Sequence, residues 1–285
     1  MSEQSKLEVL KELFYEEKIE KAFELVSQLS VESKSNENLK AKLECCEEFQ
    51  VLLEDMHLKS ECKEMLSEVS TWTEVCNSDN IRTYSKGSGK NFMVRGEMYM
   101  DQPMLPTLAL FSETDLLGTW LTMLENAQDL GTPSRFRRIL QYKAGMPWPV
   151  KNREAVMRAL GVPDIDSASA LIIMKSIHSR TTLGVEIPAQ DEDHVRIDLK
   201  LACLNIAYLG PNSTHVSFIA HMDPKLKLVP QFIVNFVTKH ILYYFLKEVR
   251  SKSMEYPGSI FEERVKQKPD YYQELLNTIH QLESK

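Results

Sequence analysis

The chain has 285 residues, 43% hydrophobic and 26% charged, which suits one large domain or a domain with a sizeable extension and leaves enough apolar material for a buried core. The net charge of −7 is concentrated at one end: residues 1–68 hold 17 acidic and 9 basic side chains, net −8, and the remaining 217 hold 24 and 25, net +1. With no basic stripe interleaved with aromatics, nucleic acid is excluded as an expected partner.

Cys45, Cys46, Cys62, Cys76 and Cys203 are odd in number and lack CxxC spacing. They predict reduced thiols and a cytoplasmic setting, with no disulfide or structural zinc. Met1–Glu17 is charged throughout and lacks the apolar core of a signal peptide.

Residues 1–68 contain neither Pro nor Gly. Leu7, Leu10, Phe14, Ala22, Phe23, Val26 and Leu29 recur at helical spacing, and Leu39, Leu43, Cys46, Phe49, Leu53 and Met56 continue a second stripe after the polar stretch Ser30–Asn38. The prediction is an antiparallel helical hairpin over 1–68. After Trp72, "TWTEVC", "IRTYSK" and "NFMVRGEMYM" read as strands with "KGSGKN" as a turn. Met104–Gln128 reads as two short helices. "RFRRILQYKAG", "REAVMRALGV", "SALIIMKSIH", "VRIDLKLACLNIAYLG" and "THVSFIAHM" follow as five further strands. A long helix is expected from about Val229 to Arg250, then a tail with a short helix near Tyr271–Gln281. This order predicts an α+β fold: an antiparallel sheet with a helix laid across it, enclosing a cavity.

Several motifs carry little chemistry. "KGSGK" places Gly87 and Gly89 too close together, and between strands, for a phosphate loop. Seven histidines show no HxH or HExxH spacing, so no metal site is expected. No GxSxG elbow or Cys–His signature is present, so no catalytic residue is assigned and no cofactor is called for.

The helix near 229–250 is more informative. Lys239 and His240 interrupt it, which argues against a membrane span. At 100° per residue, Ile233, Val237, His240, Ile241 and Tyr244 share one stripe with Phe236 at its edge, expected to face the cavity. Leu242 and Leu246 fall on the opposite side, expected to meet the N-terminal hairpin or a bilayer. Between Lys225 and Lys252 six basic residues accompany one acidic one, Glu248, a balance suited to anionic lipid surfaces.

"MPWPVKNREAVMRAL" (Met146–Leu160) and, about 75 residues on, "HMDPKLKLVPQFIVN" together resemble START (StAR-related lipid transfer) domains. The first is similar to the Pro-containing approach to a strand beginning Arg-Asp/Glu. The second is similar to the Asp-Pro-Lys…Pro…Asn entry into the C-terminal helix, with Asp223, Pro224, Lys225, Pro230 and Asn235 matching. The resemblance covers about Val69–Lys252. It departs at Leu226, where the family has Gly, and at Ala159, where sterol-type members carry a basic residue.

The resemblance implies a helix-grip fold: a curved antiparallel sheet wrapped round a long C-terminal helix, here preceded by the helical hairpin. The domains expected are 1–68, 69–252 and a tail 253–285. It further implies a non-enzymatic protein that encloses one lipid (phospholipid, sterol or fatty acyl lipid), moves it between membranes and associates with them transiently. Cavity candidates are Ile172, Met174, His178, Ile233, Phe236, Val237, His240, Ile241 and Tyr244, the first three from period-two alternation in "ALIIMKSIH". Arg153 and Glu154 are expected to fix the start of their strand. Gate and membrane-docking candidates are Asp223, Lys225, Leu226, Lys227, Lys239, Leu242 and Leu246. Two alternatives stand beside this: a helix-grip enzyme using His178, His240 or Tyr244 as acid–base groups, and a lipid-responsive adaptor whose residues 1–68 bind a protein partner.

Overall fold

The structure, a computed structural model, describes residues 3–164, 167–226 and 230–283, the side chains at 274, 278 and 280–283 excepted. Lys227 lies outside the described residues.

The N-terminal segment is four helices rather than a two-helix hairpin: α1 (Glu3–Tyr15), α2 (Ile19–Glu32), α3 (Glu37–Glu44) and α4 (Glu47–Ser67). The expected hydrophobic stripes are present, but each is broken once by a turn without Gly or Pro. Glu17 takes a positive φ of 56° between α1 and α2. The supposed loop at Ser30–Asn38 is helix to Glu32, a 3-10 turn at Ser33–Ser35, and Asn36 capping α3 by accepting from Leu39 N at 3.1 Å.

Strands β1 (Thr73–Ser78), β2 (Ile81–Lys86) and β3 (Phe92–Met100) come next. The turn before β3 requires glycine: Gly87 has φ +72°, and a Cβ there would sit 2.1 Å from Asn91 O. Helices α5 (Met104–Ser112) and α6 (Leu117–Trp120) are followed by a strand that the sequence pattern hid, β4 (Leu124–Ser134). Pairing decides it: Asn126, Ala127 and Gln128 lie opposite Lys143, Tyr142 and Gln141 of β5 (Arg137–Ala144), and this tertiary pairing overrides the helical texture of the segment.

The chain continues with β6 (Asn152–Asp164), β7 (Ser169–Ser176), a small hairpin β8 (Thr181–Thr182) and β9 (Val185–Glu186), then β10 (His194–Arg196), β11 (Asp198–Gly210) and β12 (Ser213–Asp223). "VRIDLKLACLNIAYLG" is therefore two strands. β10 runs parallel to β6, while β11 pairs antiparallel with β12 and β7. The sheet order is β1-β2-β3-β12-β11-β7-β6-β5-β4, antiparallel along this path.

The C-terminal helix comprises α7 (Gln231–Phe236), a π-turn segment Val237–Leu242 and α8 (Tyr243–Met254). Two further helices, α9 (Ile260–Gln267) and α10 (Pro269–Glu283), replace the single short helix expected in the tail.

The sheet is covered on both faces. Helices α1–α4 pack on the outer face, where Leu10, Phe14, Val26, Leu29, Leu52 and Cys62 join Leu160, Leu171, Ile173, Leu201 and Cys203 in one cluster. Buried charge pins this contact. Arg137 of β5 donates to Glu17 at 2.7 Å and to Asp55 at 3.2 Å, under the ring of Phe14. Arg158 of β6 reaches Asp55 at 3.0 Å, and Lys175 of β7 bonds Glu54.

The C-terminal helix packs on the inner face. Gly96 of β3 makes that approach close: a Cβ there would lie 2.8 Å from Leu246 Cδ1 and 2.9 Å from Leu242 Cγ. Leu242 and Leu246 are buried against the sheet, meeting neither the N-terminal helices nor solvent, contrary to their expected role as an outer docking face. The physical reason is the π-turn. Its i→i+5 bonds insert one residue into the helical period, so every position after Val237 is rotated from where a uniform 100° places it.

Two outcomes follow. Gly96→Ala should destabilise the protein by about 1–3 kcal/mol, because a methyl group must push two leucines off the sheet; urea unfolding measures it. Arg137→Met should cost about 3 kcal/mol or more, because it takes the buried cation from Glu17 and leaves Asp55 with Arg158 alone, and the loss should persist in high salt, unlike that of a surface pair.

Candidate functional site

The helix touches the sheet at β1, β2 and β3 and stands away from it towards β5, β6 and β7, and the reason is side-chain size. On the inner face of β5, β6, β7, β11 and β12 stand Ala144, Ala155, Ala159, Gly161, Ala170, Ala202 and Ala220. They leave a cavity of about 370 Å³. Large apolar side chains close its sides: Leu108 and Phe111 of α5, Leu117, Phe218, and Ile233, Val237, Ile241, Leu242 and Phe245 of the helix. Phe92 of β3 and Leu140 of β5 both border it. They stand five strand spacings apart, about 24 Å in a flat sheet, so the sheet is curled round the helix.

One end of the cavity lies under the turn after β12. Pro224 and Leu226 line it with Met146 and Arg153. Asp223 is buried and shapes this turn, accepting from Lys225 N at 2.8 Å and Lys225 Nζ at 3.2 Å, which holds Lys225 at a positive φ of 57°. The other end is closed by the tail: Tyr271, Leu275 and Ile279 of α10 line it with Phe136. The tail is tied down at Glu113, which accepts from Tyr272 Oη at 2.8 Å and Lys268 Nζ at 2.6 Å.

Most polar groups bordering the cavity are already engaged. Ser112 Oγ donates to Leu108 O, Thr114 Oγ1 to Asp129, and Arg138 to the carbonyls of Ser134, Arg135 and Arg137. Glu154 accepts from Arg196 Nε at 2.9 Å, Gln141 Nε2 at 3.1 Å and Asp191 N at 3.2 Å, tying β6 to β5 and β10. The exceptions among the described residues are the hydroxyls of Tyr142 and Ser169 and part of the Arg153 guanidinium. Burial holds the Tyr142 phenol above its ordinary value, so it is a neutral O–H donor. No group of three or more His, Cys, Asp or Glu side chains among the described residues is placed to hold a metal ion.

Of the side chains expected here, Ile172, Met174, Ile233, Val237 and Ile241 line the cavity. His240 and Tyr244 point to solvent, with Tyr244 50% exposed, and Phe236 packs on His240 rather than inward. For His240 and Tyr244 the one-residue rotation by the π-turn accounts for this, putting Phe245 where Tyr244 was expected. His178 lies past the end of β7, mostly exposed, 3.1 Å from Asp198. Of the gate residues, Lys225 and Leu226 form the turn, Lys239 is exposed on the helix, and Asp223 is internal. The sequence reading missed Tyr142, Phe218, Phe245, α5 and α10. Ala155, Ala159 and Gly161 on one face of "REAVMRALG" were the available sign of empty space beside that strand.

No protein-family model and no curated protein sequence matches the chain. Solved structures do. Human STARD10 aligns at 18% identity and TM-score 0.59, over 72% of this chain and 81% of that one. Human StAR-related lipid transfer protein 5 aligns at 10% identity and TM-score 0.60, over 70% and 95%. The lipid transfer and protein localization domain of human StarD13 aligns at 17% identity and TM-score 0.51, over 69% and 94%. Sheet order, helix placement and these likenesses agree: the chain has the START helix-grip fold.

Proposed function

We propose that this protein is a lipid carrier that encloses one lipid in the cavity and exchanges it at membrane surfaces without chemical change. The observation that carries the proposal is the cavity itself: about 370 Å³, almost wholly apolar, between a curled sheet and a helix. Exposing a lipid chain to water costs about 0.8 kcal/mol per CH₂, and a closed apolar chamber removes that cost. The START domains that share this fold bear names that state lipid transfer.

Binding without catalysis is favoured by where the titratable groups lie. His178, His240 and Tyr244, which an acid–base mechanism would need inside, face outward. A structural role for residues 1–68 is favoured over a free adaptor surface, because α1–α4 bury their apolar stripes on the sheet.

Membrane contact falls to the end of the cavity under Pro224 and Leu226. Trp148 is 91% exposed and Phe232 is 47% exposed, and their neighbours in sequence, Met146 and Ile233, line the cavity. Aromatic rings of this kind sit well at the lipid–water interface, with the exposed Lys151 three residues after Trp148 for anionic head groups. No helix among the described residues is long and apolar enough to cross a membrane, so contact is by docking. The working cycle is docking through Trp148 and Phe232, yielding of the turn at Asp223–Leu226, exchange, and release to an intracellular aqueous phase.

Native mass spectrometry of the purified protein should show one added lipid mass, and liposome assays should show transfer of a fluorescent lipid. Empty protein together with no transfer would overturn the proposal. Ala159→Phe, which places a ring in the cavity, should reduce lipid uptake tenfold or more with little loss of stability, because space is already there. Trp148→Ala should lower the transfer rate roughly fivefold while leaving equilibrium lipid binding unchanged, as measured by dye displacement in the absence of liposomes.

A further inference from the structure

Arg153 is a buried cation with no counter-ion among the described residues. It is 7% exposed and lines the cavity. Its Nε donates to Pro224 O at 3.1 Å and its Nη1 to Lys151 O, while Nη2 bonds nothing among the described residues. The other charged groups at the cavity wall are neutralised: Arg138 has Asp129 at 3.6 Å, and Glu154 has Arg196 at 2.9 Å. Arginine cannot shed its proton, and a buried charge without a partner is costly. Two carbonyl contacts would be served as well by a neutral donor, so they do not explain a full positive charge at this position.

A second polar group stands beside it. Tyr142 of β5 pairs with Ala155, and Ala144 pairs with Arg153. Tyr142 and Arg153 are thus diagonal neighbours on the inner face, about 7–8 Å apart at Cα and within reach of long side chains. The Tyr142 hydroxyl, enclosed and unbonded, is a ready donor. A guanidinium edge and a phenol O–H converging on one apolar space form a receptor for an oxyanion.

We propose that Arg153 and Tyr142 bind the oxyanion head of a single-chain lipid, a carboxylate or monoalkyl phosphate, whose chain fills the rest of the cavity. This rests on the lipid-carrier function above and names its cargo class. The inner face of β6 runs from Arg153 past Ala155, Met157, Ala159 and Gly161, with small residues on either side of one flexible methionine. Eight residues of strand span about 26 Å, enough for one extended acyl chain with its head at Arg153. Size argues in the same direction. A 150 Å³ cavity holds one benzene, so about 370 Å³ holds about fifteen heavy atoms in the same proportion, one chain rather than two.

The test uses the full chain with three probes: dodecanoate, dodecyl phosphate and dodecan-1-ol, each displacing an apolar fluorescent dye. At least one anion should bind tenfold or more tightly than the alcohol, and which anion wins identifies the head group. Arg153→Met should erase that ratio while leaving the affinity for the alcohol within about threefold. Tyr142→Phe touches neither Pro224 nor Lys151. It should weaken the anion several-fold without changing Tm, so the proposal stays falsifiable even if Arg153→Met disturbs folding. Equal affinities for anion and alcohol in the wild type, or an unchanged ratio in both variants, would overturn this assignment while leaving the carrier function intact. Failure of the dye and all three probes to bind would overturn both.

Discussion

Everything in this molecule follows from an uneven contact between one helix and one sheet. At Gly96 the absence of a side chain lets Leu242 and Leu246 press onto β3, and there the helix is anchored. Towards β6 and β7 the sheet also carries small residues, but no helical side chain descends to fill the space. Close packing is the rule in protein interiors, and a void of this size forfeits dispersion contacts along its whole wall. A protein keeps such a defect when something else occupies it. The close contact at β3 holds this part of the helix on the sheet beside the chamber.

The rest of the chain supports that arrangement. Helices α1–α4 cover the outer face of β5, β6, β7 and β11, the same strands whose inner face carries Ala144, Ala155, Ala159, Gly161, Ala170 and Ala202. A sheet that cannot pack fully on one side gains its stability from the other, and the Arg137–Glu17–Asp55 cluster fixes where the cover sits. The tail contributes at the far end, where Tyr271 and Ile279 close the cavity and Glu113 collects the tail's cations. The acidic N-terminal segment and the basic C-terminal helix, legible as a charge imbalance, thus lie on opposite faces of one sheet.

Much of this was legible in sequence, for reasons that differ by element. Period-two alternation exposed the strands and put Ile172 and Met174 on the cavity side. The two motifs around Arg153 and Asp223 identified the helix-grip arrangement. Three features were hidden. β4 carries helix-compatible residues and is a strand because β5 pairs with it. The turns dividing α1–α2 and α3–α4 lack Gly and Pro, so no local punctuation marked them. The π-turn at Val237–Leu242 has no composition of its own, and it moved the inner stripe from His240 and Tyr244 to Leu242 and Phe245. A helical wheel assumes a uniform period, and one inserted residue defeats it.

The central claim is that the chamber is a lipid site and not a packing fault. The direct measurement is a high-resolution crystal structure of the protein after exposure to lipid. Continuous density for one ligand running from Arg153 along β6 beneath Val237 and Phe245 is the result this account predicts. A chamber holding only water, or one collapsed by inward movement of Phe111, Phe218 and the helix, would contradict it.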